Sequence, residues 1–236
     1  MSKITDYSFL FESMFGTKST KGTSIIGSFQ LSQLNSSSIQ AQLKAAGIDT
    51  NSKQYKAAIK EMMQAGNGAM YTNIQCIINS MKCCDKDGDF INPRNGLAGL
   101  VLTDENAGSQ KRIISISESS KDEMFELTKK EFLQENGVHN GDTTKRRDVY
   151  DNLYRKTEKN DRLAAGYTME QYERAYRNTF YAAVREADPK WELGKPIPSG
   201  VLDGITRESI ESQLAKSGNK LVKRSSVSGS SIDLQI

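Results

Sequence analysis

The chain has 236 residues, 32 Lys and Arg against 29 Asp and Glu, and a formal net charge of +3. That length supports a real buried core in one domain or two small ones, and so small a charge demands no nucleic-acid partner. Hydrophobic residues make up 36%, no stretch approaches the roughly 20 apolar residues of a membrane helix, and the N-terminus shows no ordinary secretory signal pattern.

In chain order, residues 1–16 hold Phe9, Leu10, Phe11, Met14 and Phe15 before Gly16. So short an apolar segment is not stable alone and must dock on its own domain or on a partner. Residues 17–38 are rich in Ser, Thr and Gly, with scattered Ile25, Ile26, Phe29, Leu31 and Leu34, and read as a linker or extended arm. Helices are then predicted over about 36–46 with Gly47 as the stop, from Asn51/Ser52 to about Gly66, and over about 69–84 with Ile74, Ile77, Ile78 and Met81 inward. The strand candidates are 99–103 and 111–117, which form a plausible hairpin. Capping boxes at Ser120-x-x-Glu123 and Thr168-x-x-Gln171 predict two further helices, to Gly137 and to about Ala187, with one between them from Thr143/Thr144 to about Ala165. Pro189, Pro196 and Pro198 mark a turn-rich crossing where Trp191 pins the loop, a last helix runs from Thr206 to Lys216, and a Ser/Gly/Lys-rich tail closes the chain. The expected fold is therefore mainly α. A multi-helix domain over 39–216 carries one small β-hairpin near 99–117, with polar arms over 1–38 and 217–236.

Scarce residues narrow the chemistry. His139 is the single histidine, in a Gly137-Val-His-Asn-Gly141 turn, so a two-histidine zinc helix is excluded and any catalytic triad must run through it. Cys76, Cys83 and Cys84 form no C-x-x-C and no disulfide scaffold, which fits synthesis in the reducing cytoplasm. An export route that needs no ordinary signal peptide is compatible with this. Neither a G-x-x-x-x-G-K-[ST] loop nor a G-x-G-x-x-G motif occurs.

One loop carries chemistry. Asp85, Asp87 and Asp89 alternate around Gly88, as in the first half of an EF-hand loop, where positions 1, 3 and 5 place oxygens on one hard cation. The second half departs from that pattern. Phe90 stands where glycine is wanted, Asn92 where a β-branched apolar residue belongs, and Gly96 where a bidentate glutamate belongs. The site is expected to be weak, with Asn92, Asn95 or water completing the shell and Ca2+ as its ion. The competing reading is a solvated acidic turn, since Asp and Gly favour turns anyway. A D-x-D nucleotide-sugar site is disfavoured, because helices and linker precede the motif.

Residues 143–162 carry Lys145, Arg146, Arg147, Arg155, Lys156, Lys159 and Arg162 among acids. Tyr150/Tyr154 and Tyr172/Tyr176 are spaced by four, as core stripes are. A core stripe with a solvated charged face is favoured there over a nucleic-acid surface, with a protein-docking face as the third option.

The stretches Ala46-Gly-Ile-Asp-Thr-Asn-Ser-Lys-Gln-Tyr55, Asp85-Lys-Asp-Gly-Asp89, Gln171-Tyr-Glu-Arg-Ala-Tyr176 and Ala187-Asp-Pro-Lys-Trp191, with the opening Ile4-Thr-Asp-Tyr-Ser-Phe-Leu-Phe11, resemble a family of unknown function from spore-forming Gram-positive bacteria. The resemblance covers most of the chain. It implies a bacterial source and brings no activity, cofactor or catalytic residue.

The leading expectation is a non-enzymatic, self-associating structural or interaction protein. It would be a homo-oligomer or ordered assembly joined by its terminal arms, with Phe9, Leu10, Phe11 and Phe15 as the contact residues. The alternative is a weak calcium-binding module at 85–96 using Asp85, Asp87 and Asp89. A third option is a carboxylate-based hydrolase drawing on acids such as Asp104, Glu118 and Glu123.

Overall fold

A computed structural model describes residues 27–66, 69–103 and 106–224, apart from the Ser109 side chain. The candidate assembly residues Phe9, Leu10, Phe11 and Phe15 lie outside the described residues. The chain divides into two compact units, Met1–Val101 and Leu102–Ile236, where the sequence pattern suggested one helical domain over 39–216. Both units are mainly helical and each carries a small two-stranded antiparallel sheet.

In the first unit, β1 (Phe29–Gln30) pairs with β2 (Tyr71–Thr72), and Phe29 faces Thr72. Three helices follow the sequence signals: α1 (Ser37–Ala45), α2 (Lys53–Gly66) and α3 (Ile74–Met81). The Ser36 hydroxyl accepts the Ile39 N–H at the start of α1, and Gly47 turns the chain out at a φ of +74°, which a side chain would strain. Ser52 Oγ accepts the Tyr55 N–H to begin α2. The predicted helix over 69–84 is shorter than expected, because Tyr71–Thr72 are taken by the sheet and Asn73 caps α3 by accepting the Cys76 N–H at 2.9 Å. The core unites Leu43, Tyr55, Met62 and Ile77 with Phe29, Leu31 and Leu34. Residues 27–38, the described part of the stretch read from composition as an arm, thus supply three core side chains. Their spacing has neither a helical nor a strand period. A two-residue ladder and a 3-10 turn, Leu31–Gln33, satisfy the backbone there, and Leu31 N–H reaches Met70 O.

The second unit is built on α5 (Glu118–Gln134), α6 (Thr144–Arg155) and α7 (Arg162–Ala187), after the short α4 (Ala107–Gln110). A short α8 (Arg207–Glu211) leads into a hairpin of β3 (Leu214–Ser217) and β4 (Lys220–Lys223). Met124, Phe125 and Phe132 of α5 meet Val149 and Leu153 of α6 and Tyr176, Phe180 and Val184 of α7. Phe125 and Tyr176 pack edge to face with ring centres 5.3 Å apart. Trp191 closes one end, with its indole N–H on Lys195 O and its ring tilted over Phe132.

Four expectations are revised in this unit. The hairpin does not form at 99–117; the strands here lie at 214–223. Residues 111–117 have no regular secondary structure and are held against α7 instead. The buried Thr168 hydroxyl accepts the Ile114 N–H at 3.1 Å, and Lys216 Nζ reaches Ile113 O. Thr168 therefore caps nothing: α7 passes through it unbroken, and the boundary with α6 falls at 156–161. Arg162 Nε reaches Tyr154 O at 3.1 Å and Thr157 O at 3.3 Å, engaging carbonyls at the end of α6. The α5 cap is Ser117, whose Oγ accepts the Ser120 N–H, one turn before the predicted box. Finally, Thr206 does start a helix, but it ends at Glu211, and residues 217–223 of the supposed tail belong to the hairpin.

Candidate functional site

The three aspartates converge. Asp85, Asp87 and Asp89 each offer a carboxylate oxygen, and these oxygens all lie within 4.8 Å of one another. Two oxygens on one calcium ion, each at about 2.4 Å, can be at most about 4.8 Å apart, so the spacing fits a shared ion. Hydrogen bonds within the loop shape it. Asp85 Oδ1 accepts the N–H groups of Asp87 and Asp89, both at 2.9 Å. The Asp85 N–H in turn reaches Asp89 O at 2.8 Å, and Cys84 pairs with Phe90 across the neck.

Two helices position it. It follows α3, and Gln54 of α2 donates to both Met81 O and Cys84 O, tying the α3 end to α2. Gly88 sits at a φ of +89°, and a Cβ there would lie 3.0 Å from Lys53 O and 3.2 Å from Ala57 Cβ. The glycine is required twice, by its backbone angle and by close approach to α2. The Cys84 thiol beneath the loop is pushed up to about 11 by burial, then by Cys83, Glu61, Asp85 and Asp89. It is a protonated, unreactive thiol at neutral pH.

The second half does not complete an EF-hand. Asn92 Oδ1 accepts the Arg94 N–H and Asn95 Oδ1 accepts the Leu97 N–H, so both side-chain oxygens are engaged in turns. Gly96, at a φ of +72°, closes that turn. Asp104, one of the acids considered for a hydrolase, lies outside the described residues. Among the described residues the site therefore offers three carboxylates from one short turn.

The other sequence candidates have local roles. His139 Nδ1 accepts the Gly141 N–H at 2.9 Å and shapes its turn. Glu118 is bonded by Lys121 and Arg207, which hold its carboxyl below the ordinary carboxylate range; a general acid needs the opposite shift. Glu123 faces Lys156 at 3.8 Å.

Sequence reasoning missed two charge networks in the second unit. In one, Arg146 pairs with Glu131 and lies 3.4 Å from Glu173, and Arg177 lies 3.5 Å from Glu173, so α5, α6 and α7 are linked. In the other, Glu211 accepts Tyr176 Oη at 2.6 Å, Lys121 Nζ at 2.8 Å and Arg207 Nη1 at 3.0 Å. The readable signals were the i,i+4 pairs Glu173/Arg177 and Arg207/Glu211; the pairs that cross between helices leave none.

Among the described residues, no helix is long and apolar enough to cross a membrane. The chain matches neither a curated protein nor a solved structure. A family model does match residues 48–236, well over half of the chain. The chain belongs to the family described as a domain of unknown function, DUF3879.

Proposed function

We propose that this chain is a non-enzymatic, weak calcium-binding module whose acidic turn, Asp85, Asp87 and Asp89, takes up the ion. The observation that carries the reading is the approach of three carboxylate oxygens to within 4.8 Å on a turn held by its own backbone. With three carboxylates from a single turn and no bidentate glutamate, affinity belongs with the weak class, Kd about 10⁻⁴–10⁻³ M. Ion binding to the native state alone stabilises by mass action, about 2.7 kcal/mol at a hundredfold excess over Kd. Calcium titration monitored by calorimetry tests it, with thermal unfolding read in parallel. Wild type should show saturable uptake and a raised midpoint that Asp87→Ala abolishes. Equal heats and midpoints for the two proteins would sink the reading.

A second reading, self-association, is favoured by three exposed apolar side chains around the α5 end. Leu133, Val138 and Leu193 are 43%, 41% and 56% exposed. Gly194 N–H bonds Asn136 O, which brings Leu193 beside that turn. The occupant is a second copy of the chain, with the apolar segment Phe9, Leu10, Phe11 and Phe15 contributing. The bacterial, spore-former resemblance of the sequence is part of this reading. Light scattering on a sizing column, with calcium and with chelator, separates the two. A mass above a monomer in both conditions, lost in Leu193→Ser, supports assembly; a monomer throughout removes it.

A further inference from the structure

An asparagine followed by glycine is open to loss of its side-chain amide, because a glycine nitrogen, with no Cβ beside it, approaches the preceding side-chain carbonyl freely. Asn67-Gly68 is one such pair and lies outside the described residues. The others are Asn95-Gly96, Asn136-Gly137 and Asn140-Gly141, and each of these glycines has a positive φ. They differ in what accepts the glycine N–H. Gly96 N–H donates to Asn92 O and Gly137 N–H to Phe132 O, both at 2.8 Å. Gly141 N–H donates instead to His139 Nδ1 at 2.9 Å. A carbonyl oxygen is a very weak base, whereas the free nitrogen of a neutral imidazole is a general base at that distance. A backbone N–H can only donate, so the bond fixes Nδ1 as the lone-pair nitrogen and leaves the proton of the neutral ring on Nε2.

The turn supplies the other requirements. Asn140 is exposed, so water reaches it. Its Oδ1 accepts the Asp142 N–H at 2.8 Å, a donor on the oxygen where charge develops when Cγ is attacked. Asn95 offers an internal comparison: its Oδ1 accepts the Leu97 N–H at 3.1 Å in the same way. The two turns differ in the base and in exposure, Asn95 being half-buried.

We propose that Asn140 is a self-modifying site, deamidated with His139 as general base on the Gly141 nitrogen. The Gly141 nitrogen bonds to Asn140 Cγ and gives its proton to His139 Nδ1. The side-chain Cγ–N bond breaks, and ammonia leaves with that proton. Water then opens the cyclic imide at either carbonyl, leaving aspartate or isoaspartate. Each event adds one negative charge beside Asp142, and isoaspartate also lengthens the backbone by a methylene. The proposal is independent of the calcium and self-association readings, which use none of His139, Asn140 and Gly141.

The test uses the full chain, incubated in neutral buffer made with heavy-oxygen water and then digested in ordinary water. Fragment mass spectra locate each converted asparagine, and the label separates conversion in the folded chain from conversion during digestion. In wild type, Asn140 should convert at least about tenfold faster than Asn95 and Asn136, a modest figure for a positioned base. His139→Gln and His139→Ala should each slow Asn140 at least about tenfold and leave the Asn95 rate unchanged; Gln keeps a polar side chain but no base. Trp191 fluorescence checks that both variants remain folded. Asn140 converting no faster than Asn95 in wild type, or at an unchanged or higher rate in either His139 variant, would overturn the proposal.

Discussion

Replacing Glu211 by Gln tests whether buried charge pairing holds the second unit together. Glu211 has a side chain only 15% exposed and faces two cations whose side chains are 9% (Lys121) and 10% (Arg207) exposed. Its other oxygen accepts the Tyr176 phenol. Glu211→Gln keeps the shape and removes the charge. Losing one partner of a buried pair costs about 3–5 kcal/mol, because the other ion stays desolvated. Here both cations retain exposed acids: Glu118 for Lys121, and Glu118, Asp122 and Glu208 for Arg207. The lower end, about 3 kcal/mol, is therefore expected. For a chain of this size that corresponds to roughly 6–12 °C in midpoint. Trp191 is the single tryptophan and is buried in the second-unit core, so its fluorescence reports that unit in urea or heat. The matched control is Glu208→Gln. It removes an acid from the same Arg207, but from a side chain 70% exposed, where solvent screens the pair, and is expected to leave the midpoint almost unmoved. Equal losses for the two variants, or no loss for Glu211→Gln, would refute the argument that burial sets the value of these pairs.

Three further outcomes follow from the packing. Gly137→Ala should destabilise by on the order of 2 kcal/mol and red-shift the Trp191 emission. Gly137 sits at a φ of +78°, and the new methyl would meet the indole at 2.7 Å; unchanged emission and stability would count against that contact. Thr168→Val should cost about 1–3 kcal/mol by leaving the Ile114 N–H and Arg112 O without their shared hydroxyl, and hydrogen exchange at Ile114 should accelerate. Alkaline pH should weaken the first unit. An unfolded Cys84 ionises near its ordinary value of 9.0, whereas the folded thiol holds its proton to about 11. The unfolded state therefore sheds the proton first, and stability falls as pH rises across that window. Cys84→Ala should flatten this alkaline limb in urea melts of the first unit; an unchanged limb would assign the loss elsewhere.

Helix existence was legible wherever a cap and a stop bracketed an apolar period. Ser36 and Gly47 bracket α1, and Ser52 starts α2, because those signals act through hydrogen bonds and backbone angles only a few residues away. Legibility failed where a distant partner competed for the same backbone. Ile113, Ile114 and Ile116 have strand propensity, yet the hydroxyl of Thr168, 54 residues on, takes the Ile114 N–H. The same threonine, read locally, looked like a cap. Phe29, Leu31 and Leu34 looked like scattered apolar residues in a polar arm, and became core once β2 lay alongside.

The acidic turn belongs with the short-range features. The alternation of Asp85, Asp87 and Asp89 around Gly88 is enough to call for a tight turn with its carboxylates together, since the contacts that make it span at most four residues. The contacts of Asn92 and Asn95 are just as local: their side-chain oxygens accept the Arg94 and Leu97 N–H groups two residues on, the turn chemistry that Asn favours. The sequence alone thus determined the mainly helical class, several helix ends and the acidic turn, all products of short-range forces. The tertiary structure alone decided the two-unit division, the place of the hairpin and the buried charge networks. Those depend on which distant groups exclude water together, and chain spacing carries no record of that.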